Sequence, residues 1–340
     1  CTDNLIGLTT WAKRKLTVSK VLVIPKDQFT GMTSPKRILL VGLTCVDIIS
    51  VAKEFPKEDS DQRALDYYWQ RGGNASNSAT VLSLLGANVE CLSSLSNDPL
   101  YQFIESNFKE YGVKTDHCPI HDSREMKNPT TVIILSDQSG SRTTLANTKD
   151  HIEVSSKDFE AVDLHLYRWI HFEGRRNCDE IKKMISRVRE FNISLPELDH
   201  IIVSVELEKI NRVYDLIIDQ GDYVFISKDY AMEQGFTDKL SAVNGLISRC
   251  RPGSIIICPW AELGAAARSW SGEVHQCDAF SPGKIVDTLA AGDTFIAASI
   301  LALNSGRSIQ ETLEFACRVA GTKCGMVGFK GLEGLQKLLS

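Results

Sequence analysis

The stretch DTLAAGDTF, residues 287–295, places two alanines and a glycine between two aspartates, directly before an apolar run that predicts a helix. The small residues allow a ligand close to the backbone, and the first turn of a helix leaves N–H groups that bind an anion. A carboxylate at Asp293 is out of place in a site that only binds phosphate. It is well placed to remove a proton from an alcohol that attacks the phosphate. The stretch therefore predicts phosphoryl transfer to a hydroxyl group.

The composition of the 340 residues excludes several other classes of protein. A net charge of -5 with scattered Lys and Arg argues against a nucleic-acid partner. No apolar run approaches the ~18 residues of a membrane span, so no membrane partner is expected. Ten cysteines without a C-x-x-C pair are typical of a reduced, cytoplasmic (cytosolic) protein. Residues 1–34 are expected to form a disordered N-terminal extension.

Short apolar runs alternate with helical patterns along the rest of the chain. Strands are predicted at 38–41, 132–135, 169–172, 201–205, 223–226 and 254–258. Helices are predicted from Ala75 and at 179–190, 208–218, 238–248, 291–304 and 309–324. This alternation predicts an α/β fold with a parallel sheet covered on both faces. Neither a P-loop nor a G-x-G-x-x-G turn is present, so the phosphate site is the late one, at 290–293.

A second candidate site lies early in the chain, at the sequence GGNASN, residues 72–77. Gly73 allows a ligand near the backbone, and Asn74 and Asn77 project amides one turn apart from a helix start. Asp47, in an apolar strand, adds a carboxylate. This set suits a ligand with many hydroxyl groups. Two alternatives remain open: Asp47 as a strand-end residue, and Asn74 as a simple helix N-cap.

Two further segments suit a nucleotide. Arg142 follows a turn and could neutralise a transferring phosphate, although an exposed hairpin arginine fits the pattern equally well. A segment after a buried strand suits the adenine side of a nucleotide site. Its candidate residues are Trp260, Ala261, Glu262 and Gly264.

The two motifs at 72–77 and 287–295 together resemble the two signatures of the ribokinase-like (PfkB) carbohydrate kinase family. Within that family, FPKEDS at 55–60 and WIHFEGR at 169–175 resemble the branch that phosphorylates ketohexoses. The resemblance covers about residues 37–329. It implies a ribokinase-like parallel-sheet sandwich at 35–333 with a small β-sheet lid, and a C-terminal tail at 334–340. The lid segments are expected near 45–70 and 117–146.

The resemblance also implies an activity, the ATP-dependent phosphorylation of a ketohexose such as D-fructose at its C1 hydroxyl. Asp293 then matches the catalytic base, and the remaining roles follow by position. The anion hole is matched by Ala290, Ala291 and Gly292; the sugar site by Asp47, Gly73, Asn74 and Asn77; and the nucleotide site by Arg142 and the segment 260–264. A homodimer through the lid is implied, with Asp59 matching a position that reaches the partner's sugar site.

This chain departs from the family pattern at two places. Position 290 is Ala where the ketohexose branch has Gly, and the Asn-x-x-Glu magnesium motif is represented only by SKDY at 227–230. Mg²⁺ is therefore expected on the nucleotide, with no protein ligand assigned, and a K⁺ requirement is left open. Two other functions remain as alternatives: a related kinase of ribose or adenosine, and a non-catalytic sensor of sugar or nucleotide.

Overall fold

The computed structural model describes residues 36–139, 141–208 and 215–339. In these ranges the strands are β1 (Arg37–Val41), β2 (Cys45–Ala52), β3 (Asp66–Gly72), β4 (Val89–Leu92), β5 (Leu95–Ser96), β6 (Ile120–His121), β7 (Thr130–Ser136), β8 (Arg142–Asn147), β9 (Tyr167–Glu173), β10 (Ile202–Leu207), β11 (Tyr223–Ile226), β12 (Ile255–Pro259), β13 (Ala265–Ser269) and β14 (Val274–Cys277). The α-helices are α1 (Asn74–Leu84), α2 (Tyr101–Glu110), α3 (Ser156–Phe159), α4 (Cys178–Ile193), α5 (Lys228–Glu233), α6 (Lys239–Leu246), α7 (Ala291–Asn304) and α8 (Ile309–Cys324).

The main sheet has eight strands in the order β14-β13-β12-β11-β10-β9-β1-β4. The six strands from β12 to β4 in that order are parallel to their neighbours, while β13 and β14 continue the sheet antiparallel. The predicted parallel sheet is confirmed, and the antiparallel extension is an addition that the sequence patterns did not predict. The helix predicted at 208–218 falls largely outside the described residues.

Helices cover both faces of the main sheet. In β1, Ile38 and Leu40 pack into one buried cluster with α1, α7 and α8, whereas Leu39 and Val41 pack into the other, with α4 and α6. A strand buried on both faces needs apolar residues at every position, which explains the continuous apolar runs. The predicted α/β sandwich is therefore confirmed.

A separate sheet of four strands, in the order β3-β2-β7-β8, lies in the segments expected to form the lid, and we call it the lid. Strand β2 pairs antiparallel with β3 and parallel with β7, and β7 pairs antiparallel with β8. The expected second lid segment is too long at its start, because β6 pairs with β5 in a small sheet of its own. Residues 117–129 therefore lie outside the lid strands.

The ends of the chain bear on two further expectations. The proposed extension at 1–34 lies outside the described residues. Leu335 and Leu339, in the expected C-terminal tail, lie in a 3-10 helix and pack against the core. Among the helices that the structure describes, none is both long and apolar enough to cross a membrane.

Candidate active site

The turn before α7 forms the candidate anion site. Ala290 is the N-cap of this helix and has φ 58° and ψ 21°, in the left-handed region. For a residue with a Cβ, this conformation costs about 1–2 kcal/mol. A Cβ at Gly292 would meet no atom within 4 Å, so the space before the helix end is open at that position. The N–H of Ala291 donates to the carbonyl oxygen of Thr288 at 3.3 Å, and the turn places the N-terminal end of α7 beside an open space that suits an anion.

Asp293, in the first turn of α7, connects the two sequence motifs. Its side chain is buried, and its Oδ2 accepts a hydrogen bond from Asn77 Nδ2 at 2.7 Å, across 216 residues of sequence. A second bond joins the same helices, because Ser78 Oγ donates to the carbonyl oxygen of Asp293 at 3.2 Å. The candidate base and the candidate sugar motif thus belong to one site.

The surroundings of Asp293 strengthen it as a base. Burial raises the pKa of Asp293 well above its ordinary value, and the negative charges of Glu206 and Glu208 raise it further. The hydrogen bond from Asn77 acts in the opposite direction on this pKa because it favours the ionised form. A carboxylate with a raised pKa holds an abstracted proton more firmly than an exposed one does.

Asn74 is held by two carboxylates. Its Nδ2 donates to Glu206 Oε1 and to Glu208 Oε2, both at 2.9 Å. The N-cap of α1 is Gly73, and α1 has no side-chain cap, so the interpretation of Asn74 as a simple N-cap is wrong. Both amide hydrogens of Asn74 are engaged, which leaves its Oδ1 to accept from a ligand.

Asn77 presents the same kind of group. Its Nδ2 donates to Asp293, and its buried Oδ1 has no hydrogen-bond partner among the described residues. A buried carbonyl oxygen without a partner is costly unless a ligand or water completes it. The site therefore offers two amide oxygens that accept hydrogen bonds from hydroxyl groups.

Asp47 lies on β2, where the lid meets the core. It is buried, and this burial raises its pKa. A Cβ at Gly72 would lie 2.3 Å from Asp47 Oδ2, and a Cβ at Gly73, with φ 98°, would lie 2.2 Å from the carbonyl oxygen of Leu43. The two glycines are required because Asp47 and the neighbouring backbone approach them this closely.

The site is surrounded by three glutamates that the sequence analysis did not assign to it: Glu173, Glu206 and Glu208. Glu173 and Glu206 are neighbours at the carboxyl ends of β9 and β10. Glu173 Oε2 accepts from the N–H groups of Leu43 and Ala75 at 2.8 and 3.1 Å, and so ties the β1–β2 connection to the start of α1. Their positions in the sequence could have indicated this role, because ligands of an open α/β sheet bind at the carboxyl ends of its strands.

The segment 260–264 forms a tight turn after β12. Trp260 is buried in the core, and its backbone N–H donates to the carbonyl oxygen of Gly264 at 2.6 Å. Gly264 has φ 80°, and a Cβ there would lie 2.0 Å from the carbonyl oxygen of Cys277. Ala261 has φ 48°, and Glu262 is exposed. The turn follows the second strand beyond β10, at the carboxyl edge expected for a ligand.

Two predicted residues lie on the lid, apart from this cluster. Arg142 is exposed and pairs with Leu135, four residues beyond Thr131, which pairs with Asp47. Asp59 is exposed in the β2–β3 connection, in a turn with φ 55°. The structure does not bring either of them next to Asp293, and their roles stay predictions.

Fold and site together define a kinase of small hydroxylated molecules, and comparison with known families agrees. Residues 35–330 match the pfkB family of carbohydrate kinases. The chain therefore belongs to this family.

Individual relatives narrow the comparison. The chain is 44% identical over 297 residues to mouse ketohexokinase, covering 87% of this chain and 99% of that protein. It is 24% identical to a 5-dehydro-2-deoxygluconokinase of Listeria monocytogenes, covering 83% and 88%. Among solved structures, the ribokinase of Arabidopsis thaliana complexed with ribose and ATP has a TM-score of 0.73 at 18% identity, covering 90% and 99%. The ribokinase of Giardia lamblia has a TM-score of 0.74 at 15% identity, covering 90% and 98%. These two likenesses establish the ribokinase-like fold.

Proposed function

We propose that this protein uses ATP to phosphorylate a ketohexose, D-fructose in the first place, at its C1 hydroxyl. The observation that carries the proposal is the 2.7 Å bond between Asn77 and Asp293, because it joins a sugar-type motif to a base at an anion-binding helix end. The similarity to mouse ketohexokinase, which extends over 99% of that protein, supports the ketohexose.

The reaction begins when Asp293 accepts the proton of the attacking hydroxyl. Charge then develops on the oxygens of the transferring phosphoryl group, and the N–H groups of residues 290–292 stabilise it. Losing one such donor typically costs about 3 kcal/mol in the transition state. Closure of the lid over the sugar excludes water, which limits hydrolysis of ATP.

The sugar is recognised mainly through hydrogen-bond acceptors. The carboxylate of Asp47 and the amide oxygens of Asn74 and Asn77 accept from sugar hydroxyls, while Gly73 lets the ring approach the backbone. Since carboxylates engage both amide hydrogens of Asn74 and one of those of Asn77, the site favours a neutral sugar rich in hydroxyl groups.

The nucleotide extends from the anion hole toward the 260–264 turn, with Arg142 approaching the phosphates when the lid closes. We assign Mg²⁺ to the nucleotide and water, because the family's magnesium motif is represented only by SKDY at 227–230. When bound, Mg²⁺ neutralises charge on the phosphates. We place the reaction in the cytosol and leave a K⁺ requirement open.

A homodimer through the lid completes the proposal. Four apolar side chains on one face of the lid are exposed: Tyr67, Trp69, Val132 and Leu145. They share a face because Ile48 pairs with both Trp69 and Val132, and Val132 pairs with Leu145. A contiguous apolar face of this kind suits a second copy of the lid. Asp59 would then reach the sugar of the partner subunit.

The deciding experiment is ADP release from Mg-ATP with D-fructose, compared with ribose, adenosine, 5-dehydro-2-deoxygluconate and no sugar. Fructose-dependent turnover with a C1-phosphorylated product by phosphorus NMR is the expected result. Turnover with ribose or adenosine alone would move the substrate and keep the mechanism. No turnover with any of them would contradict the proposal and favour a sensor. Light scattering after size exclusion tests the dimer, and a monomer would remove the role of Asp59.

A further inference from the structure

Lys323, in the last turn of α8, is a charged side chain that is only 1% exposed. Its Nζ donates to Asp287 Oδ2 at 2.6 Å and to the carbonyl oxygen of Asp287 at 3.0 Å. A buried ammonium group is tolerated only when it is paired and hydrogen-bonded. Both of these acceptors belong to one residue, three positions before the N-cap of α7.

Asp287, which Lys323 holds in place, also binds the loop that follows it. Its second oxygen, Oδ1, accepts from the N–H of Leu289 at 2.8 Å. The carbonyl oxygen of Cys324, next to Lys323, accepts from the N–H of Val286 at 2.7 Å. The loop is thus fixed to α8 both through its backbone and through the ion pair between Lys323 and Asp287.

The end of this loop is the strained residue of the candidate anion site. Ala290 has φ 58°, a conformation that persists only where the surroundings over-determine it. The Lys323–Asp287 pair provides such a constraint on the N-terminal side, and α7 provides one on the C-terminal side.

We propose that Lys323 is a positioning residue for phosphoryl transfer. Its ammonium group fixes Asp287, so that the loop enters α7 with the N–H groups of residues 290–292 directed at the transferring phosphoryl group. The inference rests on the proposed function, since it assigns that anion hole its catalytic task. Lys323 acts through Asp287 and contacts neither the sugar nor the nucleotide.

Steady-state kinetics of Lys323→Met and Lys323→Ala, with Lys330→Met as control, test this role. Lys330 forms an exposed ion pair with Glu110. A small misplacement of catalytic groups costs up to about a hundredfold, so both Lys323 variants are expected to lose about tenfold to a hundredfold in kcat. The KM for fructose should change little.

Methylammonium, which fits the space left by the side chain, should restore part of the kcat of Lys323→Ala, whereas tetramethylammonium should not. The control variant should behave as wild type with either amine.

Two results would overturn the proposal: a wild-type kcat in Lys323→Met, or a lost kcat that methylammonium does not restore. If neither Lys323 variant folds, Asp287→Asn decides, and an unchanged kcat there contradicts the tether. Hydrogen exchange of the peptide spanning residues 286–295, measured without substrate, should be faster in Lys323→Ala and slowed again by methylammonium. Hydrogen exchange remains informative even if the wild type phosphorylates no sugar. In that case the proposed function fails, and the tether is refuted only if the exchange of this peptide is the same in Lys323→Ala as in the wild type.

Discussion

Asn77 Nδ2 lies 2.7 Å from Asp293 Oδ2, so that a side chain from the early glycine-rich motif holds the carboxylate of the late one. The bond also leaves Asn77 Oδ1 buried without a partner among the described residues, as an acceptor that a sugar hydroxyl would complete. One contact thereby orients the candidate base and one acceptor for the sugar. The predictions below depend on this arrangement.

Replacing Asp293 with Asn should lower kcat by at least about a thousandfold, because the attacking hydroxyl loses its base. Affinity for ATP, measured by calorimetry, should change little. Asp179→Asn is the matched control, since Asp179 also lies in the first turn of a helix, α4, but is exposed. Near-normal turnover in Asp293→Asn would remove Asp293 from the role of base.

The pH dependence of kcat/KM should report the raised pKa of Asp293. Activity should rise with pH through a value above the ordinary aspartate pKa, because only the ionised form accepts a proton. Replacing Glu208 with Gln removes one of the negative charges that raise this pKa, so the acidic limb should move to lower pH. Glu273→Gln, at an exposed position outside the candidate site, should leave the profile unchanged. An unmoved limb in Glu208→Gln would show that another group controls it.

The same pKa shift has a consequence for stability. Between the ordinary aspartate pKa and the raised pKa of the folded protein, the folded state binds more protons than the unfolded state, so the free energy of unfolding falls as the pH rises. The contribution of Asp293 to stability is therefore present at low pH and lost as the pH rises through the native pKa. In Asp293→Asn this part of the pH dependence of unfolding by denaturant should disappear. If it persists in full, another buried carboxyl is responsible.

Replacing Gly292 with Ala should separate folding from catalysis. A Cβ there meets no atom within 4 Å, and Ala favours a helix by about 1 kcal/mol over Gly, so the melting temperature should hold or rise. The added methyl group points into the space that the phosphoryl group needs, so kcat/KM should fall by about a hundredfold. A stable variant with wild-type activity would place the anion elsewhere.

Replacing Ala290 with Gly should stabilise the protein by about 1 kcal/mol, because glycine adopts the left-handed conformation without the steric cost. Activity should be retained, since the site uses backbone N–H groups. Ala291→Gly is the matched control: it lies in the helix and should be destabilised by about 0.5–1 kcal/mol. Equal effects of the two changes on chemical denaturation would contradict the strain at Ala290.

Replacing Asp47 with Ala should raise the KM for the sugar at least about tenfold, because a buried acceptor for a hydroxyl is lost. The KM for ATP should stay nearly constant. Asp47→Asn keeps the volume and one acceptor and should be the milder change. Equal increases of both KM values would indicate that Asp47 serves the structure of the lid junction instead.

Much of the architecture could be predicted from local patterns. Both late helices, α7 and α8, begin and end where the apolar period and the following turns predicted. The parallel strands were recognisable because burial on both faces requires continuous apolar runs. The antiparallel strands β13 and β14 were missed; β14 is partly exposed and short, and carries no such run.

The sequence by itself determined the candidate base, the helix end that faces the anion and the glycine-rich sugar motif, because these are short motifs whose chemistry is carried by neighbouring residues. Only the tertiary structure decided that Asn74 donates hydrogen bonds to Glu206 and Glu208. It also decided that Lys323 is buried against Asp287, and that Arg142 lies on the lid at a distance from Asp47. The reason is physical: hydrogen bonds, buried charges and pKa shifts depend on distances in space. Those distances are fixed by the pairing of strands that are remote in the sequence, and a local pattern of residues carries no record of them.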